Sequence, residues 1–487
     1  MYHHSDLKKF LYCPRLFWCS SREERTPYQH FIRMDASMTE CLIEKLGIKE
    51  PYIARRGVEV NEVLTAMQDH EWILKGRFEV SGLRIKLPAI HKTPDGWDVY
   101  FTYMGLLPKA DDVRYYANHM WVLRELGIQT NNIYIVHFNS HYSRNDQLDI
   151  NNCLSVSDSF YKTGGKQYAN ITKKVTERMS NLIPSLTEMA NVDERENYPI
   201  TLAECPHTTR CDHYTKCFFD EDELPVNSIV YLTQSANRQR MIEAGVKYLH
   251  EAPLEQVEGT RIQFAQIMAD RLGGLFFDKH AVCYWLSQIK EGPISFLDFE
   301  WDTFAIPPYA GMHPFDVLPF QYSLHVVDGS NLIHHEFLGS ADCRREFIET
   351  LLENIPSEGT VFAYNAYGAE TLRLKELIIQ FPEFEVRLNQ LIDRMNDMAA
   401  PFINGLIYDV RMRGSFSLKT LLSVVNPDMS YQQLEIHHGM DAVRQYREME
   451  ESEDEDDLVT RSHLLAYCSL DTYSMVEVYR WMLEKCE

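Results

Sequence analysis

No stretch of this chain approaches the roughly 18 consecutive apolar residues that a membrane-spanning helix needs. The opening residues, Met1 to Leu7, also lack the basic-then-apolar pattern of a secretory signal. Both absences predict a cytoplasmic protein with no membrane partner. Positive charge is scarce as well: 48 Lys and Arg stand against 71 Asp and Glu, a formal net charge of −23. That excludes a general basic coat, while leaving room for a local basic groove beside clustered acids. Part of the acidic excess lies in one run, Glu448 to Asp457, broken only by Met449 and Ser452. Such a run reads as a solvated loop or a disordered insertion and carries no assigned function.

What is present is enough for two to four domains: 487 residues, 45% of them hydrophobic. The eleven cysteines of a cytosolic chain point to metal binding or buried thiols rather than disulfides. Cys41, Cys153, Cys283, Cys343, Cys468 and Cys486 are scattered and read as small core or surface residues.

The organising stretch is Pro293-Ile294-Ser295-Phe296-Leu297-Asp298-Phe299-Glu300, an apolar run that ends in two carboxylates one residue apart. On a strand, residues two apart share a face, so Asp298 and Glu300 stand side by side. Crowded carboxylates repel, and a divalent cation relieves the repulsion. An isolated Asp-x-Glu is ordinarily just an acidic strand end, so a chemical role requires partners elsewhere. Downstream, Phe320 to Val327 and Leu332 to Leu338 are joined by Asp328-Gly329, a hairpin signal. A helix over Cys343 to Asn354 then leads to the strand Thr360 to Asn365. Three strands, a helix and a strand predict the start of an RNase H-like mixed sheet. Glu370 falls where that strand passes into a helix, and Tyr467 and Asp471 sit at i and i+4 on a late helix, sharing one side.

The ordered set Asp-x-Glu, Asn365-x-x-x-x-Glu370 and Tyr467-x-x-x-Asp471 resembles the DEDD exonucleases, the class that includes DnaQ-type proofreaders and RNase D. The resemblance implies that Asp298, Glu300, Glu370 and Asp471 bind two Mg²⁺ or Mn²⁺ ions, and that Tyr467 orients the attacking water. Glu370 departs from the usual Asp of the second motif, and Asp397 is an alternative carboxylate. Gln321, His325 and Lys419 are further candidates to touch substrate. Lys419 is the best placed of them, because a cation pairs with phosphate.

Near the start, Ser5 or Asp6 can cap a helix that delivers Cys13. Much later Cys205, Cys211 and Cys217 recur at intervals of six residues. Thiolates suit zinc or an iron–sulfur cluster, and His207 or His213 could complete a zinc site. The entry segment Cys13-Pro14-Arg15-Leu16 followed by a distant cysteine triplet resembles the RecB-like nucleases of CRISPR adaptation and of the AddB type. That resemblance implies a [4Fe–4S] cluster on Cys13, Cys205, Cys211 and Cys217, with zinc as the alternative. Between these cysteines, strands over Leu83 to Ile90 and Gly96 to Tyr103, a helix over Ala110 to Leu126 and a strand over Asn132 to Asn139 repeat the layout of that family. Its metal-binding Asp and Glu-x-Lys fall on Pro88, Phe101 and Tyr103. Its glutamine falls near His119, and its histidine has no counterpart in Gly57 to Glu62. The layout therefore implies a RecB-like half that has lost its own catalysis.

The expected organisation is α/β throughout. A degenerate RecB-like, restriction-endonuclease-type domain occupies 1–225. A helical connector with helices over Gln234 to Leu249 and Ile262 to Leu272, and the end of another at Tyr284 to Lys290, occupies 226–290. An RNase H-like DnaQ exonuclease domain occupies 291–487. Pro225 and the acids Asp220 to Glu223 mark the first boundary. Through Phe296 to Glu300, Pro319 to His325, Ala363 to Asn365, Gly414 to Lys419 and Tyr467 to Thr472, the chain resembles over nearly its full length a bacterial family of unknown function that fuses these two halves. The function this implies is a metal-dependent 3′–5′ exonuclease acting on nucleic acid, DNA before RNA. The alternative is a non-catalytic nucleic-acid-binding or assembly protein.

Overall fold

The computed structural model describes residues 1–23, 31–206, 211, 213–219, 223–452 and 458–487. His207, the acids at 220–222 and those at 453–457 lie outside the described residues. The chain forms two compact α/β units: Met1–Ile200 with Thr303–Asp316, and Thr201–Asp302 with Val317–Glu487.

The first unit is built on a mixed sheet in the order Tyr52–Ile53, Trp72–Val80, Leu83–Thr93, Gly96–Tyr103, Thr130–Phe138, Leu154–Ser157. Alternation drives its formation: Leu83, Ile85, Leu87 and Ala89 are buried while Lys86 is exposed. Gly96–Tyr103 and Thr130–Phe138 run parallel, so their connection must cross over. The crossover is the helix Val113–Glu125, which buries Tyr116, Met120, Trp121 and Leu123. Phe101 is core, and His119 is buried with Nδ1 2.8 Å from the Tyr115 carbonyl. Burial pushes the His119 pKa down to about 3. At the N-terminus the helix is His4–Tyr12. Asp6 lies inside its first turn and reaches back to accept the His3 N–H at 2.8 Å, a capping-box arrangement that relocates the expected cap.

The second unit carries a sheet in the order Asn331–Leu338, Val317–Asp328, Ile294–Phe304, Thr360–Ala363, Met395–Asp397. The first two strands form the expected hairpin, turning through Gly329. The last two run parallel to the Asp298 strand. Gly359 makes this close approach possible: a Cβ there would lie 1.9 Å from the Pro293 carbonyl oxygen, and its φ is +84°. The Asp298 strand separates two apolar layers. Leu297 and Phe299 join Phe347, Leu351 and Leu374, while Phe296 joins Phe362, Met475 and Tyr479.

Residues 226–290 fall inside this second unit. The helix expected over Gln234 to Leu249 shrinks to Arg238–Glu243, because Gly245 takes a left-handed φ of +89° and stops it. The helices Arg261–Arg271 and Lys279–Ser287 form, and the first gives Ile262, Ala265 and Ala269 to the core that holds Phe296. Between them the strand Leu275–Phe277 pairs antiparallel with Ile407–Asp409.

One expectation about cysteine is corrected. Cys283 and Cys486 form a disulfide with Cα atoms 5.8 Å apart, although 203 residues separate them in sequence. The helix Lys279–Ser287 packs on the C-terminal helix Leu458–Cys486, and this tertiary contact sets two unremarked thiols facing each other.

A candidate metal centre in the second unit

The site grows out of two periodicities. Along the strand, Phe296, Asp298, Glu300 and Asp302 point to one face. Along the helix Leu458–Cys486, residues Tyr479, Met475, Asp471 and Tyr467 repeat every fourth position. The apolar ends of the two rows meet, with the Phe296 and Tyr479 rings 5.7 Å apart. Farther along, both rows turn polar, and the carboxylates meet. Asp298, Glu300 and Asp471 each offer an oxygen, and these atoms all lie within 4.8 Å of one another. Among the described residues this is the one group of three or more His, Cys, Asp or Glu side chains so gathered.

Glu370, the fourth carboxylate expected at the site, is not one of those three but bears electrostatically on Asp298 and Glu300. It opens the helix Glu370–Gln380 just after a turn in which Asn365 takes a left-handed φ of +61°. Its side chain is 2% exposed and its Oε2 has no hydrogen-bond partner. Asp397, the alternative carboxylate, spends Oδ1 on the backbone N–H groups of Asn365 and Ala399, both at 2.9 Å. It thereby fastens the turn that delivers Glu370. Asp302, the third acid on the strand, is fully buried and paired with Arg447 through two bonds of 2.6 and 2.9 Å.

Electrostatics mark the cluster as short of positive charge. Loss of hydration, then repulsion from Asp471, Glu300 and Glu370, raises the Asp298 pKa well above the usual carboxylate range. Burial and the charges of Asp471 and Glu370 do the same to Glu300. Burial first, with Asp397 and Asp471 adding to it, pushes Glu370 up to about 8. Asp471 rises only to about 6, because the hydroxyls of Tyr431 and Tyr467 and the Lys419 ammonium oppose the effect of burial.

Three contributors were not read as such from the sequence. The Cys468 thiol donates to Asp298 Oδ2 at 3.3 Å, although that residue reads as one of the scattered cysteines. Tyr431 donates to Asp471 Oδ1 at 2.6 Å from 40 residues away. Arg447 neutralises Asp302. The i+1 position of Cys468 beside Tyr467 is the one local signal that could have found any of them. Lys419, which was singled out, lies 5.1 and 5.2 Å from the ring centres of Tyr431 and Tyr467 and donates to the His437 carbonyl. His325 and Gln321 serve structure: His325 Nδ1 meets Thr472 Oγ1 at 2.8 Å, and the Gln321 amide donates to the Leu464 carbonyl at 2.8 Å.

Of the cysteines read as cluster ligands, Cys13 is buried in the first unit, and Cys205, Cys211 and Cys217 are half-buried in the second. No helix among the described residues is long and apolar enough to cross a membrane.

Compared with known proteins, residues 295–417 match the family model described as a domain of unknown function, DUF2779. The matched stretch contains Asp298, Glu300 and Glu370 and stops before Tyr431, Tyr467 and Asp471. No curated protein matches. Among solved structures, a family B DNA polymerase from the hyperthermophilic archaeon Pyrobaculum calidifontis is similar over 40% of this chain, at 12% identity and a TM-score of 0.25. This chain spans about a quarter of that polymerase's length, 25% of it being covered.

Proposed function

We propose that the second unit is a metal-dependent nuclease, a DEDD-type exonuclease that removes nucleotides from 3′ ends, with DNA favoured over RNA. The observation that carries this reading is the meeting of Asp298, Glu300 and Asp471 oxygens within 4.8 Å, with the buried Oε2 of Glu370 left without a hydrogen bond beside them. A soluble core gains nothing from such a gathering, since each carboxylate raises the cost of its neighbours. The donor set is all oxygen, which suits the hard cations Mg²⁺ and Mn²⁺. Asp298, Glu300, Asp471 and Glu370 would hold two such ions, which supply Lewis acidity and offset the charge that grows on a phosphodiester under attack.

The chain's own residues do the rest. The strand and the helix fix the carboxylates rigidly, because both are packed on a common core through Phe296 and Tyr479. The Tyr467 hydroxyl, on the same side of its helix as Asp471, orients a water towards the phosphorus. Lys419 sets a positive charge at the edge of the cluster, where a phosphate oxygen would otherwise meet only acids. The test is the shortening of an end-labelled oligonucleotide in Mn²⁺. Asp298→Ala and Asp471→Ala are each expected to abolish it while remaining folded, and undiminished activity in both would refute the reading.

The proposed [4Fe–4S] cluster on Cys13, Cys205, Cys211 and Cys217, with zinc as the alternative, rests on the resemblance to the RecB-like nucleases. Iron and labile sulfide in the purified protein would support it; a colourless protein without either would remove it.

A further inference from the structure

Two phenols converge on Asp471, and their surroundings differ. Tyr467 stands one turn before Asp471 on the same helix. Tyr431 arrives from elsewhere, on the short turn Tyr431–Gln433, and is 7% exposed. Its hydroxyl lies 2.6 Å from Asp471 Oδ1 and 3.2 Å from Ser474 Oγ. The Ser474 proton is committed to the Leu470 carbonyl at 2.6 Å. Ser474 therefore offers Tyr431 only an acceptor, and the closer, charged acceptor takes the phenol proton.

The turn that carries Tyr431 is itself tied down. Ser430 caps it by accepting the Gln432 N–H at 3.1 Å. His437 Nδ1 lies 3.2 Å from the Tyr431 carbonyl oxygen, and the His437 carbonyl accepts from Lys419. The Lys419 ammonium then lies over both tyrosine rings, whose centres are 6.2 Å apart. At the end of this segment Gly439 approaches Glu300: a Cβ there would lie 3.7 Å from Glu300 Oε2. The segment from Lys419 to Gly439 thus reaches both Asp471 and Glu300.

We infer that Tyr431 is a positioning residue: it anchors Oδ1 of Asp471 so that the carboxylate keeps one orientation towards a bound divalent cation, leaving Tyr467 as the phenol available to the reaction. The inference rests on the proposed metal centre. It divides the labour between two like side chains that a sequence motif would rank the other way round, since Tyr467 belongs to the recognisable spacing and Tyr431 to none.

The test uses the full chain with Mn²⁺ as the probe, followed by calorimetry and by the electron paramagnetic resonance signal of free Mn²⁺. Tyr431→Phe is expected to bind Mn²⁺ about tenfold more weakly, the scale of one charge-assisted hydrogen bond. Its oligonucleotide shortening should recover as Mn²⁺ is raised. Tyr467→Phe is expected to keep Mn²⁺ affinity near that of the wild type and to stay slow at saturating metal. Ser474→Ala, which spares the Tyr431–Asp471 bond, should bind like the wild type. Tyr431→His, which keeps a ring N–H donor, should recover part of the loss and serves if Tyr431→Phe does not fold. Mn²⁺ affinity unchanged in Tyr431→Phe, or lost equally in Ser474→Ala, overturns the inference while leaving the metal centre standing. Failure of the wild type to bind Mn²⁺ overturns the metal centre itself.

Discussion

Arg447 grips Asp302 with both ends of its guanidinium, at 2.6 Å from Nη2 and 2.9 Å from Nε, on a carboxylate with no solvent exposure. Asp302 continues the row of Asp298 and Glu300, so the strand presents three acids on one face and the fold neutralises the third by itself. Removing the cation leaves a buried charge behind. Arg447→Leu is expected to cost about 3–5 kcal/mol, the usual penalty for breaking a buried pair from one side. Chemical denaturation monitored by far-UV circular dichroism measures it, and a loss under about 1 kcal/mol, as for an exposed pair, would contradict the assignment.

The other two acids are buried against each other with no such partner, which gives a prediction of opposite sign. In EDTA, Asp298→Asn is expected to melt higher than the wild type, by about 2–4 °C for each kcal/mol of relieved repulsion. With Mn²⁺ added, the wild type should rise in Tm and the variant should not. Differential scanning fluorimetry under both conditions is sufficient, and a variant that melts lower in EDTA would show the carboxylates to be mutually supported.

Metal binding should depend steeply on pH. Without metal, Glu370 titrates at about 8 and Asp471 at about 6, both above their unfolded values. The folded, metal-free chain therefore holds more protons than the unfolded chain in this range. This cluster's contribution to stability falls as pH rises through those values. Cation binding must displace the protons, so Mn²⁺ affinity should climb between pH 6 and pH 8, by about tenfold per unit for each proton released. Calorimetry in buffers of different ionisation enthalpy counts the protons; a pH-independent affinity would be inconsistent with it.

His325 supplies an acid-sensitive element away from the carboxylates. Burial, and then the stacked His334 ring 4.2 Å away, lowers its pKa to about 4. The unfolded chain binds the proton first, near 6.5, so the stability of the folded form declines as pH falls below that value. At pH 5 the loss reaches up to about 2 kcal/mol. His325→Gln should flatten this part of the stability–pH curve in urea titrations. An unchanged slope would place the acid sensitivity on other groups, with buried His119 in the first unit the next to examine.

Much of the centre was legible because its residues obey short-range periodicities. Asp298 and Glu300 are two apart on a strand, and Tyr467 and Asp471 four apart on a helix, so each pair shares a face whatever surrounds it. The hairpin through Asp328-Gly329 and the parallel strand Thr360–Ala363 were legible for the same local reasons. What was hidden depends on packing. Nothing near Tyr431 announces that its hydroxyl will meet Asp471, and nothing near Arg447 announces Asp302. The over-long helix at Gln234 had the right spacing of apolar residues, but Gly245 broke it with a left-handed turn. In the first unit the apolar alternation of Leu83 to Ala89 gave away the sheet, whereas the neutral, buried state of His119 follows from neighbours that no spacing rule reaches.

The bond between Cys283 and Cys486 ties the last turn of the helix that presents Asp471 to a segment 203 residues earlier. Closing a loop of that size restricts the unfolded chain by as much as about 5 kcal/mol in the chain-entropy picture. A preparation handled in thiol reductant and one handled in air are thus two covalent species of one gene product. They share the same acids but differ in how firmly the rod bearing them is moored.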